Sequence, residues 1–206
     1  VIPIRRASLI AVLLLLCGLF ALGIHLFTTG EEYSRFNPDW NGTSGFFDQV
    51  ERVPQVYGAA DLQTGTCHAL LIIAPRPGAG EAEIYRSFLS GGNRLILFDE
   101  EGGANPLFAS LGSSLRVVPG NLSGFESHYD SPSVLEAHPV GESPLLQNVD
   151  HLTLNRPASV SGGETLAETS LLSWMDLDGN GRPDGGEVLR RYAVIAREEV
   201  GGGEIV

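Results

Sequence analysis

Nineteen consecutive positions, Leu9 to Phe27, carry no Asp, Glu, Lys or Arg, and no other feature restricts the fold of this chain so tightly. At about 1.5 Å rise per residue, a helix of that length reaches across the roughly 30 Å hydrocarbon core of a bilayer. The direct reading is a transmembrane anchor at Leu9–Phe27 behind a short stub. The alternative is a cleaved secretory signal, whose apolar core is shorter, about 7–15 residues, and whose cleavage site has small residues such as Ala21 and Gly23. Cys17 follows Leu14-Leu15-Leu16, without the small residue that precedes a lipid-modified cysteine, and reads as an ordinary apolar residue of the span.

Arg5 and Arg6 precede the apolar run and Glu31-Glu32 follow it, so the positive-inside rule predicts a cytoplasmic N-terminus and an extracytoplasmic domain over residues 31–206 at the cell membrane. All 25 acidic residues but only 11 of the 13 basic ones lie beyond the run, a balance of −14 within a chain of net charge −12. Such a surface has no basic face with which to displace counterions from nucleic acid. Every basic residue is arginine, which excludes Schiff-base chemistry and a Walker-type phosphate loop. Cys67 is the only cysteine after the span, so the exported part is expected to hold together without an internal disulfide. Asn41-Gly42-Thr43 and Asn121-Leu122-Ser123 match the glycosylation acceptor pattern, which fits export. Val1 is not methionine, and Gly201-Gly202-Gly203 before Glu204-Ile205-Val206 reads as a turn entering a strand, so the native chain is expected to continue.

The aromatic-rich stretch 28–50 (Tyr33, Phe36, Trp40, Phe46, Phe47) suits a juxtamembrane segment that settles onto a domain. A βαβ unit follows. His68–Ala74 reads as an apolar strand, Pro75–Gly80 as a turn, Glu81–Ser90 as a helix with Ile84, Tyr85, Phe88 and Leu89 on one face, and Arg94–Asp99 as a second buried strand. A parallel pair with a crossover helix predicts α/β architecture. A helix at Asn105–Leu111 and strands at Ser114–Val118, His151–Leu154, Ser170–Met175 and Tyr192–Arg197 extend it, while Pro119–Ser143 reads as a long irregular loop.

The constellation with the clearest chemistry is Asp176-Leu177-Asp178-Gly179-Asn180-Gly181-Arg182-Pro183-Asp184-Gly185-Gly186-Glu187. It fits the twelve-residue calcium loop: Asp176, Asp178, Asn180, Asp184 and Glu187 supply side-chain oxygens at positions 1, 3, 5, 9 and 12. Gly181 makes the sharp turn, and Arg182 offers a backbone carbonyl. Pro183 at position 8 lacks the N–H that joins paired EF-hand loops, and the flanks resemble strands, so a structural calcium loop between strands is expected. The competing reading is a solvated acidic Asx-turn without an ion.

Other candidates favour ordinary structural readings. Pro77-Gly78-Ala79-Gly80 sits where a nucleotide fold cradles phosphate, but Glu81 and Glu83 occupy the first helical turn and repel one. Asp99-Glu100-Glu101 lie at the strand edge where α/β folds place ligands, or form a solvated acidic loop. Cys67 and His68 are strand neighbours that point to opposite faces, a poor nucleophile and base. His128, His138 and His151 lack metal-ligand spacing.

Several pieces occur in a characteristic order: Tyr33-Ser34-Arg35-Phe36-Asn37-Pro38 with Gly42-Thr43-Ser44, then Leu70-Leu71-Ile72-Ile73-Ala74-Pro75, Gly91-Gly92, Leu95-Ile96-Leu97-Phe98 and Asn105-Pro106-Leu107. Tyr129-Asp130-Ser131-Pro132, Leu154-Asn155-Arg156-Pro157, Ser173-Trp174-Met175-Asp176 and Val194-Ile195-Ala196-Arg197 follow. Over residues 33–206 this order resembles the domain-of-unknown-function 4350 family. The resemblance implies a membrane-anchored prokaryotic protein with a Rossmann-like, class I glutamine amidotransferase-like α/β domain, no established activity, and membrane partners from a gene context of MoxR-type ATPases and transglutaminase-like proteins. It also implies a further strand with a Ser-Asp-Pro-Ser-like segment beyond this chain. Enzymes of the amidotransferase-like group carry a cysteine nucleophile after a central strand, and the matching Asp99-Glu100-Glu101-Gly102-Gly103 has none.

These readings converge on a non-catalytic, membrane-anchored binding or assembly module with a possible structural calcium site at Asp176, Asp178, Asn180, Arg182, Asp184 and Glu187. A metal-assisted hydrolase using Asp99, Glu100 or the acidic loop around a metal, or a calcium-dependent glycan-binding module, is the alternative.

Overall fold

The computed structural model describes residues 4–39, 41–50, 54, 56, 58–62, 65, 68–76, 80–125 and 129–206, in two compact units, 1–55 and 56–206. Trp40, Cys67, Pro77-Gly78-Ala79 and His128, singled out above, lie outside the described residues.

Among the described residues one helix, α1 (Ile4–Gly30) of the first unit, contains a stretch, Ser8–Leu26, that is long and apolar enough to cross a membrane. It has no polar stripe, and Leu9, Leu13, Leu16 and Phe20 are exposed. The next turn closes on Asn37, which is buried. Its Nδ2 donates to Glu31 O at 2.9 Å and Asn41 Oδ1 at 3.0 Å, and its Oδ1 accepts from Asp39 N at 2.9 Å. Gly42 lies so close that a Cβ there would stand 2.0 Å from Asn37 O, which accounts for Asn37 and Gly42 in this segment. Ser44–Gln49 forms a short helix, α2.

The second unit is a mixed α/β fold with a partly parallel sheet. In chain order it contains β1 (Ala69–Ile73), α3 (Ala82–Ser90), β2 (Arg94–Phe98), α4 (Asn105–Leu111), β3 (Arg116–Val118), β4 (Asn121–Gly124), β5 (Val134–Pro139), β6 (Leu152–Asn155), β7 (Ser159–Ser161), β8 (Glu164–Thr169), β9 (Ser173–Asp176), β10 (Ala193–Val200) and β11 (Gly203–Ile205). Among the described residues the main sheet runs β1-β2-β11-β10-β8-β5-β6, and the pairs β3-β7 and β4-β9 stand apart from it. β1, β2 and β11 are mutually parallel, and every neighbouring pair from β11 to β6 is antiparallel.

The sequence reading of 68–118 holds here: strand, helix, strand, helix and strand follow in the expected order. Asn93 fastens the β1–α3–β2 unit. Its Oδ1 accepts from His68 N at 2.8 Å, and its Nδ2 donates to Gly65 O at 2.7 Å and Phe88 O at 2.9 Å. Tyr85 and Leu89 of α3 and Leu107, Phe108 and Leu111 of α4 close over Leu95 and Ile205, forming the principal core. The two strands are not buried on both sides as their apolar run suggests: Leu71 and Phe98, on the face away from this core, are 38% and 54% exposed.

The expected irregular loop over 119–143 is corrected by the structure, since β4 and β5 both lie within it. β5 alternates Leu135 and Ala137 inward with Val134, Glu136 and His138 on the other face, a period-2 pattern hidden by its polar half. A second, smaller core of Leu122, Leu135 and Tyr192, with Met175 and Val194 against it, packs between β4, β5, β9 and β10.

Candidate functional site

β9 ends on Asp176, which is paired with Asn121 of β4 and 8% exposed, so the second core fixes the first residue of the acidic loop. From there the chain winds around carboxylates. Asp176 Oδ1 accepts from Gly179 N at 2.8 Å and Asn180 N at 3.1 Å, and its Oδ2 accepts from Gly181 N at 2.9 Å. Asp178 Oδ1 accepts from Asn180 N at 3.0 Å, and Asn180 Oδ1 accepts from Arg182 N at 2.7 Å. Gly179 and Gly181 take φ of +76° and +70°, a region costly for residues bearing a Cβ.

Glu187 returns to close the loop. Its Oε1 accepts from Leu177 N at 2.6 Å and its Oε2 from Asp184 N at 3.3 Å. Asn180 Nδ2 donates to both Asp178 Oδ2 and Asp184 Oδ2 at 2.9 Å, placing a partial positive charge between two like charges. The segment then leaves through irregular backbone into β10, with Arg190 N donating to Ser173 O at 2.9 Å. The loop follows strand β9 but leaves through irregular chain at 188–192, so the expected position between two strands holds only at its start.

Asp176, Asp178 and Glu187 each bring one oxygen within 4.8 Å of the others. Oxygens about 2.4 Å from one calcium ion stand at most about 4.8 Å apart, so this donor set fits a hard divalent cation. Asn180 Oδ1 keeps a second lone pair beyond the one given to Arg182 N. In the arrangement inferred from the sequence, Asp184 and the Arg182 carbonyl complete the set.

The other acidic candidate has a different role. Asp99 Oδ1 accepts from Glu101 N and Gly102 N, each at 3.0 Å, and its Oδ2 accepts from Ala104 N at 2.7 Å. It therefore shapes the turn that leads into α4 and satisfies an amide at that helix's start. Gly103 packs so tightly that a Cβ would lie 2.3 Å from Pro75 O. Glu83 pairs with Arg86 on α3. His68 enters the fold through its backbone bond to Asn93.

β5 and β6 place His138 and His151 with ring centroids 6.4 Å apart, on either side of Glu136. The alternation of Val134–Pro139 is the sequence signal for this face, but the pairing partner is set only by the sheet register.

Similarity to known proteins adds a family but no reaction. No curated protein matches the chain. Among solved structures it is similar to one described as "mmIFT52 N-terminal domain", with 13% identity and a TM-score of 0.48, covering 64% of this chain and 69% of that one. A family profile described as "Domain of unknown function (DUF4350)" matches residues 35–206, and the chain belongs to that family.

Proposed function

We propose that this protein is a membrane-anchored, non-catalytic binding or assembly module whose extracytoplasmic α/β domain is stabilised by calcium at Asp176–Glu187. The observation that carries the reading is the convergence of Asp176, Asp178 and Glu187 at the end of a core strand, in a loop whose Gly179 and Gly181 amides turn around the Asp176 carboxylate. When bound, the ion supplies charge neutralisation; the chain's own residues orient the oxygens and hold the loop against β4 and β9. Asp99 supports the non-catalytic half, because both of its carboxylate oxygens accept backbone N–H groups of the turn into α4. The parallel β1–α3–β2 unit supports a class I glutamine amidotransferase-like domain, and Arg5-Arg6 ahead of the span support a cytoplasmic N-terminus.

A partner in the same membrane meets this domain at raised effective concentration, so a weak contact suffices. Brief cross-linking of intact cells in millimolar calcium tests the assembly role. The expected result is one discrete adduct with another membrane protein, reduced by chelation and by Asp178→Ala. Recovery of no adduct, or substrate turnover abolished by Asp99→Asn in a protein that still folds, contradicts it.

A further inference from the structure

Two asparagines of the chain precede glycine, Asn41 and Asn180, and the fold treats them differently. A following glycine has no Cβ to shield its amide nitrogen, so in either pair that nitrogen can attack the asparagine's own side-chain carbon. Around Asn41 the backbone is closed. Gly42 N donates to Asp39 O at 2.9 Å, and Asn41 O accepts from Tyr33 N at 2.7 Å. A Cβ on Gly42 would stand 2.0 Å from Asn37 O, so backbone fills the space that a new ring needs.

At Asn180, which is exposed, each group in that reaction has a partner suited to it. Gly181 N, the attacking nitrogen, donates to Asp176 Oδ2 at 2.9 Å, a carboxylate that can receive its proton. Asn180 Oδ1, where negative charge develops during the attack, accepts from Arg182 N at 2.7 Å. The departing nitrogen, Asn180 Nδ2, lies 2.9 Å from both Asp178 Oδ2 and Asp184 Oδ2. A Cβ on Gly181 would meet only the side chain of Pro132, at 3.1 Å, and no backbone.

We propose that Asn180 is a self-modification site, converted to aspartate and isoaspartate while the loop is without an ion. Gly181 N bonds to Asn180 Cγ, its proton passes to Asp176, and the Cγ–Nδ2 bond breaks. The freed nitrogen takes up a proton and leaves as ammonia, and the chain is left with a cyclic imide. Water then opens the imide. Breaking the N–Cγ bond restores the peptide with a carboxylate on the side chain, and breaking the bond to the main-chain carbonyl carbon routes the backbone through the side chain. The first product adds charge to the oxygen set, which tunes the affinity of such loops, and the second lengthens the backbone within the loop. Only the effect of calcium rests on the function proposed above: an ion held by Asp176, Asp178 and Asp184 draws these carboxylates away from Gly181 N and Asn180 Nδ2, so conversion slows.

The full chain in detergent micelles, incubated in heavy-oxygen water at mildly alkaline pH with chelator or with millimolar calcium, is digested, and residues 41 and 180 are read by fragmentation mass spectrometry. Without calcium, Asn180 is expected to convert about tenfold faster than Asn41, with the label in its new carboxylate, and unfolding in urea is expected to bring the two rates together. Asp178-Gly179 and Asp184-Gly185 cyclise with loss of water and show no amide-to-acid mass gain, so they do not enter this readout. Asp176→Asn is expected to slow conversion at residue 180 to near the rate of Asn41. The urea comparison needs no variant, so a failure of Asp176→Asn to fold leaves the test intact. No conversion at Asn180, or equal rates at the two sites in the folded chain, overturns the proposal. Fast conversion at Asn180 that calcium does not slow supports the modification site and contradicts calcium binding by the loop.

Discussion

Asn37, Asn93 and Asp99 are short polar side chains that each make three hydrogen bonds, and each holds a turn that the apolar pattern alone does not determine. Replacing a buried example leaves its partners without bonds, at about 1–3 kcal/mol for each orphaned group. Asn93→Ala is therefore expected to lower stability by about 3 kcal/mol, read as a fall in the denaturation midpoint; a change below about 1 kcal/mol contradicts the role given to it. The opposite outcome is expected at Ser123, whose buried Oγ has no hydrogen-bond partner among the described residues. Ser123→Ala removes a desolvated hydroxyl and is expected to leave the melting temperature unchanged or raise it. At this scale the acidic loop is legible in the sequence because its carboxylates and the amides they accept from all lie within twelve residues. The roles of Asn93 and Asp99 are less so, because Asn93 bonds residues 25 and 28 positions away and Asp99 satisfies amides in a turn whose path the helix–strand pattern leaves open.

Among the elements, α3 and α4 are readable because each has an apolar face and a defined start, and β11 because Gly201 and Gly202, at φ of +63° and +95°, provide the hairpin turn. β5, β7 and β8 are harder to read, since short strands with a solvated face mix Ser, Thr and Glu with apolar residues and leave little periodic signal. Position in the sheet is less legible still: β11, the last strand of the chain, lies between β2 and β10. Its Gly203 leaves no room for a side chain, as a Cβ would stand 2.3 Å from Asn93 O and 2.5 Å from Leu89 O, so Gly203→Ala is expected to destabilise the second unit.

On β10, Glu198 reaches the segment before β3, accepting from the Ser113 hydroxyl and, at 2.8 Å each, from Ser114 N and Ser114 Oγ. Burial pushes its carboxyl up, but these bonds and the Leu115 amide more than offset that and hold its pKa below the ordinary value. The unfolded chain therefore binds this proton first as pH falls. The stabilisation is complete above the ordinary carboxylate range and is lost as pH drops through the lowered folded value. Glu198→Gln is expected to reduce the acid dependence of stability in that window, measured by denaturant titration at a series of pH values; an unaltered profile contradicts the assignment.

The whole molecule joins an apolar helix to an acidic α/β unit, and the charge asymmetry across the helix carries the orientation proposed for it. With Cys67→Ser in the background, an impermeant thiol reagent applied to intact cells is expected to label a cysteine placed at exposed Glu142, and labelling only after lysis contradicts an extracytoplasmic domain. Calcium at the acidic loop is the central claim, and its most direct measurement is the melting temperature of the full chain in detergent, with chelator and with millimolar calcium, beside Asp178→Ala. An ion about a hundredfold above its dissociation constant adds about 2.7 kcal/mol, a rise of about 5–10 °C for a chain of this size. The account predicts that rise in the parent and its loss in Asp178→Ala; an equal melting temperature with and without calcium, or a rise that survives the substitution, contradicts it.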